Sequence, residues 1–276
     1  MIVTLLTDYG HDDEFVGVCH GVIKAVDPAL EILDVTHGIG RYDVRHGAVV
    51  LRNTLPYLPV GVHVAVVDPQ VGTERRALAL ETGDGRILVG PDNGLLSLAW
   101  ERAGGVIVAV DVTRSPHRLE PVSATFHGRD VFAPVAARLA AGAPLAQAGA
   151  PLDPVGLMPL ELPRPRVDSA GLTATVVGID GFGNVSLLAG PGDLGAAGLR
   201  LGRAAAVRAG DVSLQAVYAR TFADVDPGDA IVYEDAARTA AVAINTGDAS
   251  AALLVRPGDE VRIEPIGEPA DGPADG

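Results

Sequence analysis

A proline-dense stretch in the middle of the chain limits its architecture more than any other sequence feature. Six prolines fall at positions 144, 151, 154, 159, 163 and 165. Proline has a fixed φ and no backbone N–H, so this density excludes regular structure and predicts a connecting segment. We therefore place a domain boundary near residue 165. The chain of 276 residues is long enough for two ordinary domains.

The residues before this boundary alternate short apolar runs with segments of helical periodicity. Residues 2–6 predict a buried strand, and apolar residues from Phe15 to Val26 share one helical face, with Asp12 or Asp13 as the expected N-cap. The alternation continues with strands expected at residues 31–35, 62–67, 78–81, 86–89 and 106–112, and helices at residues 43–55, 94–102 and 129–141. This pattern is typical of an α/β domain around a largely parallel sheet, which we assign to residues 1–165.

The residues after the boundary contain short β-type runs instead, such as residues 172–179, 204–207 and 240–244. Pro-Gly-Asp recurs at 191–193, 227–229 and 257–259, where we expect turns. This pattern predicts a smaller all-β domain over residues 166–267. The composition of residues 268–276 predicts a disordered tail.

The overall composition excludes several classes of protein. A formal net charge of −14 opposes binding to nucleic acid or to an anionic membrane surface. Cys19 is the only cysteine, so the chain forms no internal disulfide and no cysteine-based zinc site. The first residues lack the pattern of a signal peptide, and no run is long enough to span a membrane. We therefore expect a cytoplasmic protein.

Polar residues that follow the predicted strands are the candidates for chemistry, because ligands bind beyond the carboxyl ends of parallel strands. All seven histidines also lie within the first 127 residues. Asp8 is either a turn former or an acceptor for ribose hydroxyls. Asp13 is either an acid at a helix start or a partner for a ligand ammonium. The candidates fall in four segments: 8–13, 34–37, 68–75 and 125–130.

Two further candidates also have a structural interpretation. Asp68 and Arg75 are seven residues apart, and either form a surface ion pair or belong to an active-site loop. His127 precedes a predicted helix and either is structural or points into a cleft. The segment His11–Asp13 offers metal ligands, although consecutive residues at a helix start point in different directions. Neither a phosphate-binding glycine loop nor a G-x-S-x-G nucleophile elbow occurs.

Six motifs, taken in chain order, closely resemble the S-adenosyl-L-methionine (SAM) hydroxide adenosyltransferases. These enzymes are also called SAM hydrolases, and they are related to the fluorinating and chlorinating SAM halogenases. The resemblance covers about residues 1–265. It is carried by LLTDYG at 5–10, DVTH at 34–37, VVDP at 66–69 with VGT at 71–73, VGPDNG at 89–94, TFHGRD at 125–130 and GN at 183–184.

The resemblance implies an α/β domain followed by a small β domain, and a homotrimer with SAM sites between neighbouring subunits. It implies conversion of SAM and water to adenosine and L-methionine, with no metal and no cofactor. The implied catalytic residues are Asp68, Arg75 and His127. The implied substrate-binding residues are Asp8, Asp13, Tyr42, Thr125, Gly128, Asp180, Asn184, Phe222 and Arg238.

Particular residues of the resemblance bear on the nucleophile. The halogenases have Tyr where this chain has Asp68 and His127, and the fluorinating enzyme has Ser in place of Gly128. The resemblance therefore favours water over halide. Gln70 departs from the usual Gly, and Ala236 and Ala237 stand in a segment that is often rich in Ser. The alternatives to a SAM hydrolase are a halogenase, a metal-dependent hydrolase using His11, Asp12 and Asp13, and a nucleoside-binding module without catalysis.

Overall fold

The structure, a computed structural model, describes residues 1–267 and consists of two compact units. The first unit covers residues 1–161 and the second begins at Leu162. The predicted boundary near residue 165 lies among the first residues of the second unit. The predicted tail at residues 268–276 lies outside the described residues.

The first unit contains seven strands and four α-helices. The strands are β1 (Ile2–Thr7), β2 (Glu31–Thr36), β3 (Val62–Val66), β4 (Ala77–Thr82), β5 (Ile87–Pro91), β6 (Val106–Asp111) and β7 (Ala150–Leu152). The helices are α1 (Phe15–Val26), α2 (Val44–Thr54), α3 (Ser97–Arg102) and α4 (Ala133–Ala140). Short 3-10 turns cover Leu55–Tyr57, Leu145–Gln147 and Pro154–Gly156.

The seven strands form one sheet in the order β2-β1-β3-β5-β4-β6-β7. The pairs β2/β1, β1/β3 and β3/β5 are parallel, whereas β4 and β7 run against their neighbours. Most strands thus point the same way, which confirms a largely parallel sheet. Apolar residues of β1 and β3 are buried with those of α1 and α4 in one core. Because β1 and β3 are parallel neighbours, Asp8 and Asp68 follow them at the same edge of the sheet.

Two expectations for this unit are wrong. Helix α1 begins at Phe15 with Glu14 at its N-cap, so neither Asp12 nor Asp13 caps it. The proline-dense stretch is not devoid of regular structure, because β7 forms within it and pairs antiparallel with β6. Pro151 is tolerated there because β7 is the edge strand of the sheet, where a missing N–H leaves no partner unsatisfied.

The helix expected at residues 129–141 has two parts. Gly128–Phe132 forms a π-helical turn, and the α-helix α4 follows. Pro134 cannot donate a hydrogen bond to the carbonyl of Asp130, and the N–H of Leu119 donates to that carbonyl instead, at 2.8 Å. The missing helical bond coincides with the π-turn, a feature often found at functional sites.

The second unit is a closed β-barrel. Its strands are β8 (Arg166–Asp168), β9 (Gly171–Ile179), β10 (Val185–Leu187), β11 (Ala204–Ala209), β12 (Val212–Tyr218), β13 (Ala230–Glu234), β14 (Ala240–Ile244) and β15 (Glu260–Pro265). They pair in the order β10-β14-β13-β12-β11-β15-β9-β8, and the additional pairing of β10 with β9 closes the ring. Two short helices, α5 (Pro191–Ala196) and α6 (Ala249–Leu253), accompany the barrel.

The three Pro-Gly-Asp segments do not share one structure. Turns form at 227–229 and 257–259, where Gly228 and Gly258 have positive φ. Pro191 instead begins helix α5, because the Asp193 carboxylate accepts a hydrogen bond from the N–H of Gly190 at 2.7 Å and caps the first turn. Among the described helices of both units, none has the length and apolar character needed to cross a bilayer.

Candidate active site

A cleft of about 290 Å³ opens in the first unit where β1 and β3 end. Three carboxylates and one guanidinium line it, together with aromatic rings and one imidazole. The lining residues are Asp8, Tyr9, Asp13, Phe15, Arg41, Tyr42, Val66, Asp68, Val71, Thr125, Phe126, His127 and Gly128. Seven of the sequence-predicted site residues are therefore gathered around one space: Asp8, Asp13, Tyr42, Asp68, Thr125, His127 and Gly128.

The loop after β3 folds back so that Arg75 meets Asp68. The N–H of Val71 donates to the carbonyl of Asp68 and the N–H of Thr73 to that of Gln70, which makes two successive turns. Gly72 permits this path, because its φ is +80° and a Cβ there would lie 2.4 Å from the carbonyl oxygen of Ala124. Gln70 is not among the described residues with positive φ, so the turn accommodates a side chain at that position.

Asp68 and Arg75 form a buried ion pair, so the interpretation as a surface pair is wrong. Their side chains are only 5% and 4% exposed. Arg75 Nε donates to both carboxylate oxygens at 3.0 and 2.9 Å, and Nη2 donates to Oδ2 as well. The guanidinium also lies 5.3 Å from the ring centre of Phe132. Arg75 does not line the cleft itself but holds Asp68 from behind.

The same guanidinium determines the tautomer of His127. Arg75 Nη2 lies 2.9 Å from His127 Nδ1, and arginine has donors only, so Nδ1 must accept this bond. Burial lowers the pKa of His127, and the positive charge of Arg75 lowers it further. The imidazole is therefore neutral at pH 7, with its single proton on Nε2. In this state His127 can donate a hydrogen bond through Nε2.

Asp8 lies at the start of the loop after β1 and accepts a hydrogen bond from Tyr42, a residue with strained backbone. The N–H of Tyr42 donates to Asp8 Oδ2 at 2.9 Å, and Tyr42 has a φ of +63°, which is uncommon for a residue with a side chain. Burial raises the pKa of Asp8, and the nearby charge of Asp68 adds to the effect, while Arg41 opposes it. The Tyr42 side chain is exposed at the cleft.

Gly128 allows the hydroxyl of Tyr9 to lie against the backbone. A Cβ at position 128 would lie 2.1 Å from the Tyr9 hydroxyl oxygen. The Tyr9 ring packs against Phe15 and Phe126, with both centroid distances at 5.8 Å, and those two rings are 5.1 Å apart. This aromatic cluster forms one side of the cleft. Burial raises the pKa of Tyr9 well above its ordinary value, so the hydroxyl stays protonated.

Comparison with known proteins identifies the family. The family model for the SAM hydroxide adenosyltransferase N-terminal domain matches residues 3–149, and that for the C-terminal domain matches residues 174–262. The chain belongs to the SAM hydroxide adenosyltransferase family. It is 50% identical over 261 residues to the (R)-S-adenosyl-L-methionine hydrolase of Salinispora arenicola, covering 95% of this chain and 97% of the relative.

Two other proteins similar to this chain bear on structure and chemistry. A solved structure of an uncharacterised conserved protein from Thermotoga maritima superposes with a TM-score of 0.86 at 37% identity, covering 95% of this chain and 100% of that one. A more distant relative, the fluorinase of Actinoplanes, is 30% identical over 212 residues, covering 67% of this chain and 70% of the relative. The relatives of this chain thus include one named as a SAM hydrolase and one named as a fluorinase.

Some residues of the cleft were not singled out from the sequence. Arg41 supplies the one guanidinium of the lining, and Phe15 and Phe126 supply two of the rings. Phe126 stands inside a SAM hydroxide adenosyltransferase motif, so its position was a usable signal. Arg41 precedes the strained residue Tyr42, and no spacing in the sequence relates it to Asp8.

The other four predicted binding residues lie in the barrel unit. Asp180 and Asn184 form a turn, in which Asn184 Nδ2 donates to Asp180 Oδ2 at 2.8 Å. Phe222 packs on Tyr233 with the ring centres 5.4 Å apart, and Arg238 pairs with Glu234 at 2.7 Å. Burial, with the charges of Asp235 and Asp180, raises the pKa of Tyr233 to about 12. The contact of these residues with SAM stays a prediction.

The metal-site hypothesis for residues 11–13 has no support from the described structure. His11, Asp12 and Asp13 are exposed and do not gather their ligand atoms. Within residues 1–267, the group whose histidine and carboxylate atoms converge is His20, Asp34 and His37. None of these three lines the cleft.

Proposed function

We propose that this chain hydrolyses SAM to adenosine and L-methionine by attack of water on C5′ of the ribose. The observation that carries the proposal is the buried pair Asp68–Arg75, whose arginine also contacts the half-buried His127 at the acidic cleft. The curated relative with 50% identity is named for this reaction. SAM carries a sulfonium and an ammonium group, and the cleft offers three carboxylates against one guanidinium.

The chemistry requires a well-placed nucleophile more than an acid. The water oxygen forms a bond to C5′ as the C5′–S bond breaks, and the electron pair of that bond leaves with the sulfur of methionine. Because this leaving group is a neutral thioether, no proton donor is needed for it. The rate then depends on in-line placement of water, removal of its proton and exclusion of bulk solvent.

We assign the proton-accepting role to Asp68. His127 Nδ1 already accepts from Arg75, so the imidazole presents Nε2–H and orients the water oxygen as a donor. Asp68 is held by Arg75 and keeps acceptor capacity on the side of the cleft. As the new C–O bond forms, a proton of the water passes to the Asp68 carboxylate and later to solvent. Arg75 positions both partners and stabilises negative charge on the nucleophile.

The remaining assignments extend this proposal to the rest of SAM. Asp8 accepts the ribose hydroxyls, Asp13 pairs with the methionine ammonium, and Thr125 and Gly128 contact the substrate beside Tyr42. Asp180, Asn184, Phe222 and Arg238 contribute from the barrel unit. We further propose that the chain forms a homotrimer with its sites between subunits, as the family resemblance implies. Light scattering on the purified protein tests this oligomeric state.

A metal is not required for this scheme, and no cofactor takes part, since SAM is the substrate. We also propose a cytoplasmic location. Its support is Cys19, which is buried and unpaired, as is usual for proteins of reducing compartments. Burial raises the pKa of its thiol to about 12, so it is inert rather than catalytic.

One experiment tests the reaction. The purified chain is incubated with each sulfonium diastereomer of SAM, with and without EDTA, and the products are separated by chromatography. We expect adenosine and methionine in equal amounts, unaffected by EDTA. Binding of SAM without methionine release would refute the enzyme, and activity that requires an added metal would refute the metal-free mechanism.

Halide chemistry is the second candidate, because a fluorinase is among the relatives. The same assay with chloride or fluoride tests it. We expect adenosine as the only nucleoside product, since in this proposal Asp68 and His127 form hydrogen bonds to water. Formation of a 5′-halogenated adenosine would reverse the assignment of the nucleophile.

A further inference from the structure

A second convergent group lies at the carboxyl end of β2, outside the cleft. It consists of His20 on α1, Asp34 in β2 and His37 just after β2. His20 Nε2 lies 2.9 Å from Asp34 Oδ1, and His37 Nε2 lies 3.1 Å from the same oxygen. All three ligand atoms are within 4.8 Å of one another. Nothing in the proposed hydrolysis of SAM uses them.

The buried member of this group has a ring nitrogen whose contact with Asp34 is poorly aligned for a hydrogen bond. The His37 side chain is fully buried, yet no hydrogen bond of good geometry reaches its Nε2. A buried polar atom whose hydrogen bonding is incomplete is costly, and its presence in a folded protein calls for an explanation. The Nε2 atom points at the shared Asp34 oxygen, and His20 approaches the same oxygen from the helix.

The other nitrogen of His37 has a hydroxyl partner to which the tautomer protonated on Nδ1 can donate. Its Nδ1 lies 2.8 Å from the hydroxyl oxygen of Thr7, and that hydroxyl also accepts the N–H of Tyr9 at 3.1 Å. Histidines that bind metals typically donate their second ring N–H to such a group, which fixes the ring and the tautomer. The ring is fixed further by the edge of His11, at a centroid distance of 5.2 Å.

We propose that His20, Asp34 and His37 bind a divalent transition-metal ion of the zinc class. Two imidazole nitrogens and one carboxylate oxygen are a donor set that Zn²⁺ and Co²⁺ accept, whereas Mg²⁺ prefers oxygen alone. Bonds of about 2.0–2.1 Å at tetrahedral angles place ligand atoms about 3.3 Å apart. The two histidine–aspartate separations of 2.9 and 3.1 Å are close to that spacing, and the two imidazole nitrogens are within 4.8 Å of each other.

The exposure of the ligands gives an ion access to this site. The side chains of His20 and Asp34 are 33% and 35% exposed, while His37 forms the closed end. Three protein ligands leave the fourth position to water on the solvent side. The bound ion links α1 to the end of β2. Through Thr7 it also fixes the backbone next to Asp8, so we infer a stabilising site beside the cleft.

Direct binding measurements test the site without any use of SAM. The full chain, without an affinity tag and stripped of metal by a chelator, is titrated with Zn²⁺ by calorimetry and with Co²⁺ by visible absorption. We expect one ion per chain, a four-coordinate Co²⁺ spectrum, no binding of Mg²⁺ and a rise in Tm with Zn²⁺.

Variants locate the ion. His20→Ala and Asp34→Asn alter exposed side chains and should weaken Zn²⁺ binding at least about tenfold. His11→Ala is the matched control, because His11 touches His37 but is not in the ligand group, and it should bind like the parent. The proposal is overturned if no stoichiometric binding occurs, if His20→Ala and Asp34→Asn bind as tightly as the parent, or if only His11→Ala loses the ion. Adenosine release is a separate measurement, so these results do not depend on the proposed hydrolysis.

Discussion

Two aspartate–arginine pairs in the first unit share their chemistry but differ in their surroundings. Arg75 pairs with Asp68 and the next residue, Arg76, pairs with Asp92; the carboxylates are 5% and 3% exposed. Asp92 Oδ2 accepts Arg76 Nε at 2.8 Å, and its Oδ1 accepts the N–H of Met158 at 2.9 Å. In the described chain, the carboxylate of Asp68 accepts from Arg75 alone.

The difference separates a pair whose partners all lie within the protein fold from a pair with access to the cleft. The carboxylate of Asp92 is shared between Arg76 and the N–H of Met158, which ties the residues after Gly156 to the end of β5. Asp68 is just as buried, but its spare acceptor capacity faces a cleft, and its arginine also holds a histidine. Burial and ion pairing alone therefore do not distinguish the two pairs, whereas access to the cleft and the shared histidine do.

The largest expected effect comes from removing each carboxylate in turn. Asp68→Asn should lower the turnover of SAM at least about 100-fold, because an amide cannot take the proton of water. Asp92→Asn should keep turnover within a few-fold. Both variants should lose stability, since each leaves an arginine without its partner. Initial rates of adenosine release and urea unfolding measure the two effects, and equal rate losses would show that the two pairs do not differ in function.

A smaller effect is expected from exchanging the arginines for lysine. Arg75→Lys should lower turnover about tenfold, because an ammonium group cannot hold two carboxylate oxygens and an imidazole in one plane. Arg76→Lys is the neighbouring control and should leave the rate unchanged. The ratio of kcat to KM for both variants provides the comparison. A slow Arg76→Lys variant with a normal Arg75→Lys variant would contradict the assignment.

The pH dependence of kcat should reveal the histidine that contacts Arg75, since the Asp92–Arg76 pair has no such neighbour in the described contacts. Burial, and next the positive charge of Arg75, lower the pKa of His127 below its ordinary 6.5. The imidazole is therefore mostly neutral at pH 6.5 and above. At lower pH it gains a proton on Nδ1, loses the bond from Arg75 and places a second cation beside it. We expect kcat to fall up to about tenfold per unit on the acid side.

Replacement of the histidine provides the control for this limb. His127→Gln should be slower at neutral pH but should lack the acidic fall in kcat. Asp8 also has a raised pKa, and its protonation should appear in KM through weaker binding of ribose. A parent and a His127→Gln variant with the same acid limb in kcat would assign that limb to another group.

The smallest expected effect concerns the wall of the cleft. Gly128→Ala should lower turnover several-fold, because the new methyl group collides with the Tyr9 hydroxyl, 2.1 Å away. The double variant with Tyr9→Phe removes that oxygen and should recover much of the loss. Thermal unfolding of both variants checks that they are folded. Failure of the second substitution to restore any activity would show that the collision is not the cause.

The sequence predicted local structure better than long-range closure. The periodicity of residues 15–26 and the apolar run at 2–6 were sufficient to predict α1 and β1, because the pattern that specifies each element lies within its own residues. The closure of the barrel depends on pairing β9 with β10 across a turn at Asp180 and Asn184, which no periodicity records. The π-turn at Gly128 follows from Pro134 only once Leu119 is known to use the freed carbonyl.

For the candidate site too, the sequence predicted the local features better than the long-range contacts. Asp8 and Asp68 could be placed together because the ends of parallel strands share an edge. The seven-residue spacing from Asp68 to Arg75 favoured a surface ion pair and did not reveal the buried one, since burial depends on the residues packed around the loop. The tautomer of His127 required the contact with Arg75. The convergence of His20 with Asp34 and His37 brings a helix face to a strand end, which spacing alone did not reveal.

The proline-dense stretch, predicted only as a linker, also terminates the open sheet. Strand β7 is an edge, and an exposed edge invites pairing with a strand of another chain. Pro151 at its centre has no N–H that could donate to a strand of another chain, and β7 is only three residues long. The residues that connect the two units therefore protect this side of the sheet against aggregation. Replacing Pro151 with a β-branched residue would remove that protection while leaving the cleft intact.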